Sequence, residues 1–265
     1  MTRIVGIVNI TSDSFSDGGR FLEPEQAILH GRRLLAEGAD LLDLGAESSN
    51  PDGEHVTAEI EIERLTPVIS ALKASGACVA IDTFKPEVMA HCLALGADMI
   101  NDITALGNPA AVEILQTYRV PVVLMFARNN GPRATRQPGD AGTILVEVRD
   151  FFARRVEELL RGGLHEDQFI LDPGMGYFLG SNPEPSLTVL RHLEQLQRGV
   201  PLYISVSRKS FIGHVLGGRG PDERAHGTLA AEIWACLAGV SYIRTHQVAP
   251  LRDAIRMIEA IQQAS

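Results

Sequence analysis

Short apolar runs alternate with longer amphipathic segments along the whole chain. The apolar runs are nearly continuous, as in parallel strands that are buried on both faces. They predict eight strands, at Ile4–Ile10, Leu41–Gly45, Cys78–Asp82, Met99–Ile103, Pro121–Phe126, Phe169–Asp172, Leu202–Val206 and Tyr242–Thr245. The segments between them have helical periodicity and predict eight helices, at Glu25–Glu37, Thr57–Ala74, Pro86–Leu95, Pro109–Gln116, Val146–Arg161, Pro185–Gln197, Gly227–Leu237 and Pro250–Gln263.

Repeated strand–helix units imply a parallel sheet with right-handed crossovers. Eight units favour a closed barrel over an open doubly wound sheet, and a barrel typically takes about 250 residues. We therefore predict an α/β fold, a single (β/α)8 TIM barrel that occupies residues 1–265 as one domain.

Prolines and glycines mark several of the predicted boundaries. Pro86, Pro109, Pro185 and Pro250 stand where helices begin, a place where a missing N–H does least harm. Gly38 and Gly96 follow helical segments and are predicted to cap their C-terminal ends. The longest irregular stretch is Ala127–Ala141, and a loop of that length in a compact domain is usually functional or mobile.

Charge and composition exclude several classes of protein. The net charge of −9 argues against general nucleic-acid binding, which needs a basic face. No apolar run approaches the roughly 20 residues of a membrane span, and the first residues lack the apolar region of a signal peptide. Cys78, Cys92 and Cys236 form no paired motif, which is typical of a reducing compartment. We expect a cytoplasmic protein, with Trp234 packed in an apolar helical stretch.

Polar residues gather where the predicted strands end. They include Asn9, Asp43 with Glu47, Asp82, Asn101 with Asp102, Asp172, the run Ser207–Ser210, and Arg244 with His246. Any one of these could simply cap a loop. Because strand C-termini share one face of a barrel, the set as a whole predicts one active-site mouth there.

The residue types suggest a ligand with two different ends. Asp172 and Asn101 offer an acceptor-rich edge, which suits a planar guanidine-like group such as that of a pterin or guanine ring. Arg208, Lys209, Arg244 and His246 supply positive charge and donors that suit phosphate or pyrophosphate. Barrels that bind sugar phosphates would show similar cations.

Taken in order, these segments resemble the dihydropteroate synthase family over nearly the whole chain. The matching motifs are Gly6–Gly19, Asp43–Ser48 with Pro51, Ile81–Thr83, Gly96–Asp102, Leu171–Gly174, Ser207–Gly213 and Arg244–His246. The resemblance implies that the protein condenses p-aminobenzoate with hydroxymethyl-dihydropterin pyrophosphate and releases pyrophosphate, and that it forms a homodimer.

The resemblance also implies a role for each matched position. Pterin contacts carry over to Asp82, Asn101, Asp172 and Lys209, and the contacts to pyrophosphate and Mg²⁺ to Asn9, Arg244 and His246, with Asn9 as the metal ligand. Asp82, Lys209, Arg244 and His246 form the catalytic set. Ser49, Ser207 and Phe15 complete the substrate-binding set, and the first loop with Phe15 is expected to close over the site.

The departures from the family pattern fall on the acceptor side. Asn50 stands where the second loop usually has arginine, and Leu179 stands at a usually basic position after Asp-Pro-Gly. Arg128, Arg133 and Arg136 in the long loop either replace the lost charge or are solvated. We therefore expect a raised KM for p-aminobenzoate and weak inhibition by sulfonamides. The alternative is a pterin-binding paralogue with another acceptor or without synthase activity; a pterin-dependent methyltransferase is disfavoured because the cationic motifs fit a pyrophosphate leaving group.

Overall fold

The computed structural model describes residues 2–10, 22–53, 55–129, 131–197 and 199–264. Within these residues the strands are β1 (Arg3–Asn9), β2 (Leu41–Gly45), β3 (Val79–Asp82), β4 (Met99–Asp102), β5 (Val122–Met125), β6 (Phe169–Asp172), β7 (Tyr203–Ile204) and β8 (Tyr242–Thr245). The helices are α1 (Leu22–Ala36), α2 (Ala58–Lys73), α3 (Pro86–Ala94), α4 (Pro109–Tyr118), α5 (Ile144–Arg161), α6 (Glu184–Arg191), α7 (Ser210–Val215), α8 (Ala225–Leu237) and α9 (Val248–Gln263).

All strand pairs are parallel, and the strands follow the order β6-β5-β4-β3-β2-β1-β8-β7. The ring closes between β6 and β7 through a single parallel bridge from Leu171 to Leu202, where Leu171 N donates to Pro201 O at 2.9 Å. The predicted (β/α)8 barrel is confirmed. That residues 1–265 form one domain stays a prediction.

Several predicted element ends are shifted by one to three residues, and three differences have further consequences. Helix α7 was not predicted. Its six residues continue the Ser207–Gly213 motif, which was noted for its polar residues and not for helical periodicity. The predicted helix Pro185–Gln197 ends at Arg191, since His192 leaves the helical region at φ −119° and ψ 27°. Strand β7 is two residues long rather than five, because it pairs with β8 over Tyr203 and Ile204 alone.

The two predicted glycine caps are confirmed by their backbone geometry. Gly38 and Gly96 have φ values of +101° and +92°, a region that glycine enters without steric cost. Pro86 and Pro109 each occupy the first position of a helix, as predicted, whereas Pro185 is the second residue of α6 and Pro250 the third of α9.

The interior of the barrel explains where the site lies. Eight buried residues, one from each strand, fill the lower layer: Val5, Leu41, Ala80, Met99, Val123, Ile170, Tyr203 and Tyr242. Because side chains alternate along a strand, the next inward residue is two positions further on. Those positions hold Ile7, Asp43, Asp82, Asn101, Met125, Asp172, Ser205 and Arg244. The interior therefore changes from apolar to polar at the C-terminal ends of the strands.

None of the helices in the described part of the chain has the length and apolar character needed to cross a membrane.

Candidate functional site

An arginine buried between two carboxylates forms the base of the site. Arg244 Nε donates to Asp43 Oδ2 at 2.5 Å, and its Nη2 donates to Asp82 Oδ2 at 2.8 Å. Asp43 is fully buried and also accepts a hydrogen bond of 3.1 Å from Asn101 Nδ2. Burial would lower the pKa of Arg244, but Asp43 and Asp82 outweigh burial and raise it, so the guanidinium stays charged.

A small cavity lies directly above this ion pair. Its walls are Ser49, Asp82, Asn101, Ile103, Met125, Asp172, Met175, Phe178, Tyr203, Ser205, Lys209 and Arg244. The four residues predicted to contact a pterin, Asp82, Asn101, Asp172 and Lys209, thus surround one space. The tyrosine hydroxyl of Tyr203 and Asp43 Oδ1 are buried oxygens without a hydrogen-bond partner among the described residues, so this region has bonding capacity that the protein does not use.

The two carboxylates of the cavity differ in how they are held. Asp172 Oδ1 accepts the backbone N–H of Gly174 at 2.8 Å, which fixes the orientation of the carboxylate. Burial raises the pKa of Asp172 to about 6, against the opposing effects of Gly174 and Lys209. Burial likewise raises the pKa of Asp82 to about 7, although Arg244 favours its charged form. Asp172 is therefore an acceptor at neutral pH, whereas Asp82 is close to its midpoint.

Lys209 enters the cavity from the segment between β7 and α7. Its Nζ lies 5.0 Å from the centre of the Phe178 ring, over which it packs as a cation. Burial and the charge of Arg244 lower the pKa of Lys209 to about 8, while Asp172 and Asp82 act in the opposite direction. The amine is mostly charged at neutral pH and becomes neutral under mildly alkaline conditions.

His246 is a neutral hydrogen-bonding group rather than a cation. Its Nδ1 lies 2.9 Å from Ser207 Oγ, and its backbone N–H donates to the same oxygen at 3.2 Å. Burial and the nearby charges of Arg244, Arg208 and Lys209 lower the pKa of His246 to about 3. The expectation that His246 contributes positive charge is therefore wrong, because three cations and little solvent surround the ring.

A wider mouth opens over the cavity. The polar side chains along it are Asn9, Glu47, Ser48, Ser49, Asn50, Arg64, Asp82, Tyr177, Ser205, Ser207, Arg208, Lys209, Ser210, Arg224, Arg244 and His246. The structure thus brings the predicted residues Asn9, Ser49 and Ser207 to one opening with the pterin set. Phe15 lies outside the described residues, so closure of the first loop stays a prediction.

The arginines of the long loop after β5 do not line the mouth. Arg133 Nη2 donates to Glu47 at 2.9 Å, and Arg136 Nη1 donates to Asp52 at 3.0 Å. Arg128 Nε donates to Glu147 on α5 at 3.0 Å. The loop arginines therefore do not bring their charge to the mouth, and Arg136, 58% exposed, remains largely solvated as the second alternative had it. Two of them tie the long loop to the second loop.

Leu179 also has a different role from the one its position suggested. Its side chain is fully buried in the main hydrophobic core. Tyr177 and Phe178, the two residues before it, line the mouth in its place. The family pattern has a basic residue shortly after Asp-Pro-Gly. In this chain aromatic side chains reach the mouth there instead.

A buried lysine anchors the second loop from below. Lys85 Nζ donates to Glu61 Oε1 and to the carbonyl of Val56, each at 2.6 Å, and also contacts Glu47. Burial would raise the pKa of Glu47, but Lys85, His55 and Arg133 outweigh burial and lower it to about 2. Glu47 is therefore a permanent anion that fixes the loop carrying Ser48, Ser49 and Asn50.

Asp102 belongs to the structure of the loop rather than to the cavity. It accepts hydrogen bonds from Thr104 N, Thr104 Oγ1 and Leu106 N at 2.7, 2.8 and 2.9 Å. These bonds hold Ala105 and Leu106, which both have positive φ values. Of the two neighbouring polar residues on β4, Asn101 is therefore the one that faces the cavity.

Several residues of the site were not predicted. Asp43 was noted at a strand end but was not assigned to the site. It stands two residues after the inward-facing Leu41, and this spacing could have indicated that Asp43 also faces the interior. Arg64 on α2 reaches the mouth and donates to Ala46 O at 3.1 Å, and Arg224 reaches it from just before α8. Both stand in segments that carry no local motif.

Comparisons with known proteins agree with this geometry. The sequence profile of the pterin-binding enzymes matches residues 5–246. The chain is 44% identical over 264 residues to the dihydropteroate synthase type-2 of Escherichia coli, covering 99% of this chain and 97% of that protein. Its fold is similar to that of the Xanthomonas albilineans dihydropteroate synthase with 4-aminobenzoic acid, with a TM-score of 0.90, 39% identity and coverage of 100% and 94%.

The same Xanthomonas albilineans enzyme in complex with 7,8-dihydropteroate matches with a TM-score of 0.87, 38% identity and coverage of 100% and 95%. Identity of this level over the full length, together with the profile match, goes well beyond a shared barrel fold. The chain belongs to the pterin-binding enzymes and, within them, to the dihydropteroate synthase family.

Proposed function

We propose that this protein condenses hydroxymethyl-dihydropterin pyrophosphate with p-aminobenzoate and releases pyrophosphate. The observation that carries the proposal is the arrangement of Asp172, Asn101 and Lys209 around one cavity, beneath a mouth lined by several cations. Its relatives are named for this reaction, and a similar solved structure holds 4-aminobenzoic acid.

The pterin ring would lie in the small cavity. The Asp172 carboxylate, fixed by Gly174, accepts hydrogen bonds from the amino-pyrimidine edge, and the Asn101 amide supplies a further polar contact. Lys209, whose amine packs against Phe178, meets the ring from the side, with its charge directed at acceptor atoms. These contacts fix the ring so that its methylene carbon points toward the mouth.

The reaction breaks the carbon–oxygen bond to pyrophosphate and forms a carbon–nitrogen bond to the aromatic amine, which then loses a proton. Departure of pyrophosphate leaves positive charge on the methylene carbon, and the carboxylates of Asp82 and Asp172 stabilise that charge electrostatically. Arg244 and the neighbouring cations of the mouth stabilise the negative charge of the leaving group. His246, which is neutral, donates or accepts a hydrogen bond there.

Mg²⁺ is the cofactor that we propose for this step. The described residues contain no group of three His, Cys, Asp or Glu side chains arranged for a metal. Mg²⁺ is commonly held by one or two protein groups together with substrate phosphates, and the exposed Asn9 at the end of β1 fits that use. When bound, the metal would neutralise charge on the pyrophosphate.

The protein is also proposed to form a homodimer through an apolar face on α6, α7 and α8. Val215 and Trp234 on this face are 58% and 55% exposed, and a groove beside them is lined almost entirely by apolar side chains. Trp234, which was expected to pack in an apolar helical stretch, lies half-exposed on this face, and its Nε1 donates to Leu190 O at 2.8 Å. Exposed apolar patches of this kind usually mark contact surfaces.

We also propose a cytoplasmic location for the protein. The proposal is supported by the three free thiols, which are typical of a reducing compartment.

The pterin assignment predicts a loss of binding in Asp172→Asn. The substitution places an amide donor opposite a donor on the ligand, and a mismatched buried group costs about 1–3 kcal/mol. Pterin affinity measured by calorimetry should fall at least about tenfold. Asp167→Asn, at the other end of the same segment, is exposed and serves as the control. Equal affinity in the two variants would remove Asp172 from the pterin site.

The shifted pKa values predict a bell-shaped dependence of kcat/KM on pH. Activity should rise as Asp172 and Asp82 ionise, between about 6 and 7, and fall as Lys209 loses its proton above about 8. Because these groups interact, the limbs report the group of residues together. Lys209→Arg keeps a charge that does not titrate in this range, so the alkaline limb should disappear. Its persistence would assign that limb to another residue.

The acceptor side predicts that Asn50→Arg lowers the KM for p-aminobenzoate and strengthens inhibition by sulfonamides. A charge-assisted contact contributes about 1.5–3 kcal/mol, so the change should be about tenfold or more. Arg128→Ala is the control, because that arginine contacts Glu147 away from the mouth and its loss should leave steady-state kinetics unchanged.

The same experiment separates the two candidate functions. A wild-type protein that turns over slowly and improves with Asn50→Arg is a synthase with a weakened acceptor side. Inactivity of the wild type and both variants, with pterin still bound, would point instead to a paralogue with another acceptor.

The dimer proposal predicts that Val215→Glu yields a monomer. The added charge would be buried without a partner at the interface, which strongly opposes association. Sedimentation velocity should show a dimer for the wild type. Met257→Glu alters an equally exposed apolar residue, 59% exposed, on α9 and should stay dimeric. A monomeric wild type, or dissociation by Met257→Glu but not by Val215→Glu, would contradict the assigned face.

A further inference from the structure

Arg208 has a backbone conformation that its residue type disfavours. It stands between β7 and α7 with φ +60°, in the left-handed region that side chains with a Cβ rarely enter. Such a conformation persists only where the surrounding structure holds it. Lys209, the next residue, is the N-cap of α7 and carries its amine into the cavity. The conformation of Arg208 thus sets the direction from which Lys209 enters the site.

The start of α8 holds both backbone groups of Arg208. Thr228 Oγ1, in the first turn of α8, accepts the N–H of Arg208 at 3.0 Å. Arg224 Nη1, from the residue just before the helix, donates to the carbonyl of Arg208 at 2.8 Å. Thr228 is buried, with 1% of its surface exposed, so its hydroxyl has little competition from water. Thr228 and Arg224 are one helical turn apart and hold the two peptide units on either side of the Arg208 Cα.

The guanidinium of Arg224 is fixed by two further segments. Its Nε donates to the carbonyl of Arg219 at 2.8 Å. It also lies against Gly213 of α7 so closely that a Cβ at that glycine would stand 2.5 Å from Nε and from Nη2. The glycine therefore leaves the space that the guanidinium occupies. Arg224 joins the Arg208 turn, α7 and the start of α8 at one point.

We propose that Arg224, together with Thr228, is a positioning residue that holds Arg208 in its left-handed conformation and thereby places Lys209 in the pterin cavity. The test of this role by kcat/KM rests on the proposed function, whereas the test by pterin affinity does not require that the protein makes dihydropteroate. Arg224 also reaches the mouth of the site, so a direct contact with the leaving group is the competing explanation, and the experiments separate the two.

Gly213→Ala tests the proposal without changing any charge. Alanine is the better helix former, so a loss cannot come from the helix itself. Its methyl group would displace the guanidinium together with the Arg219 carbonyl that holds it, which a Cβ would approach to 2.6 Å. We expect the same defect in Gly213→Ala, Thr228→Val and Arg224→Leu: a fall of about tenfold or more in kcat/KM and in pterin affinity, with unchanged circular dichroism. Arg219→Ala is the matched control, because it removes an exposed arginine but keeps the carbonyl that Arg224 uses.

The pH profile gives a readout that a merely structural role would not move. In place, Lys209 faces Asp172, Asp82, Arg244 and His246, and burial holds its pKa near 8 rather than 10.5. A displaced lysine becomes solvated, so the alkaline limb should move up by about one unit or more in the three variants. An unmoved limb combined with weaker inhibition by inorganic pyrophosphate would show that Arg224 contacts the leaving group directly and would overturn the proposal.

Arg208→Gly supplies a second, independent test through a double-variant cycle. Glycine adopts a positive φ without steric cost, so it depends less on the contacts from α8. The loss of pterin affinity caused by Thr228→Val should therefore be smaller in the Arg208→Gly background than in the wild type. Losses that simply multiply would show that Thr228 does not act through Arg208. Calorimetry with the pterin reads this result even if the wild type makes no dihydropteroate, which keeps the proposal distinct from the proposed function.

Discussion

The contact of Arg244 with Asp43 and Asp82 is the interaction on which the rest of the site depends. Three strands, β2, β3 and β8, each send one charged side chain into the barrel, where little water can solvate them. Removing one partner of such a buried group typically costs about 3–5 kcal/mol, because the remaining charge has no partner. The guanidinium therefore fixes the carboxylates as much as they fix it. Asn101 extends the network to β4 through Asp43.

This network also sets the protonation of the neighbouring groups. The charge of Arg244 favours the ionised form of Asp82 but opposes the charged forms of Lys209 and His246. As a result the cavity contains a carboxylate near its midpoint and an amine that titrates close to neutral pH, and the mouth above it contains a neutral imidazole. Clusters of groups with shifted pKa values are typical of functional sites. Here the pKa shifts arise from the charge of Arg244 and from the burial that these groups have in common.

The sequence was sufficient for the parts that follow a local rule. The eight strands were recognisable because each is a short apolar run, and Asp82, Asn101 and Asp172 were recognisable because each stands where such a run ends. Arg64 and Arg224 could not be found this way, since their segments reach the mouth only after the helices have packed. The long-loop arginines were misjudged for the same reason: their partners, Glu47 and Asp52, are distant in sequence. The uncharged state of His246 depends on burial among cations that no sequence pattern shows.

The strands of the barrel are not joined equally tightly around the ring, because the seam between β6 and β7 has fewer backbone contacts than the other strand pairs. Elsewhere neighbouring strands share several backbone hydrogen bonds, but this seam is joined by the one bridge between Leu171 and Leu202. Asp172 lies at the end of the strand on one side, and Lys209 follows the strand on the other, so a ring held by both residues spans the gap. Ligand binding and the pairing of β6 with β7 would then be linked equilibria. Free energy gained by binding across the junction would also stabilise the junction itself. Among the described strands, the junction with a single bridge is in this way the one that a bound molecule would reinforce.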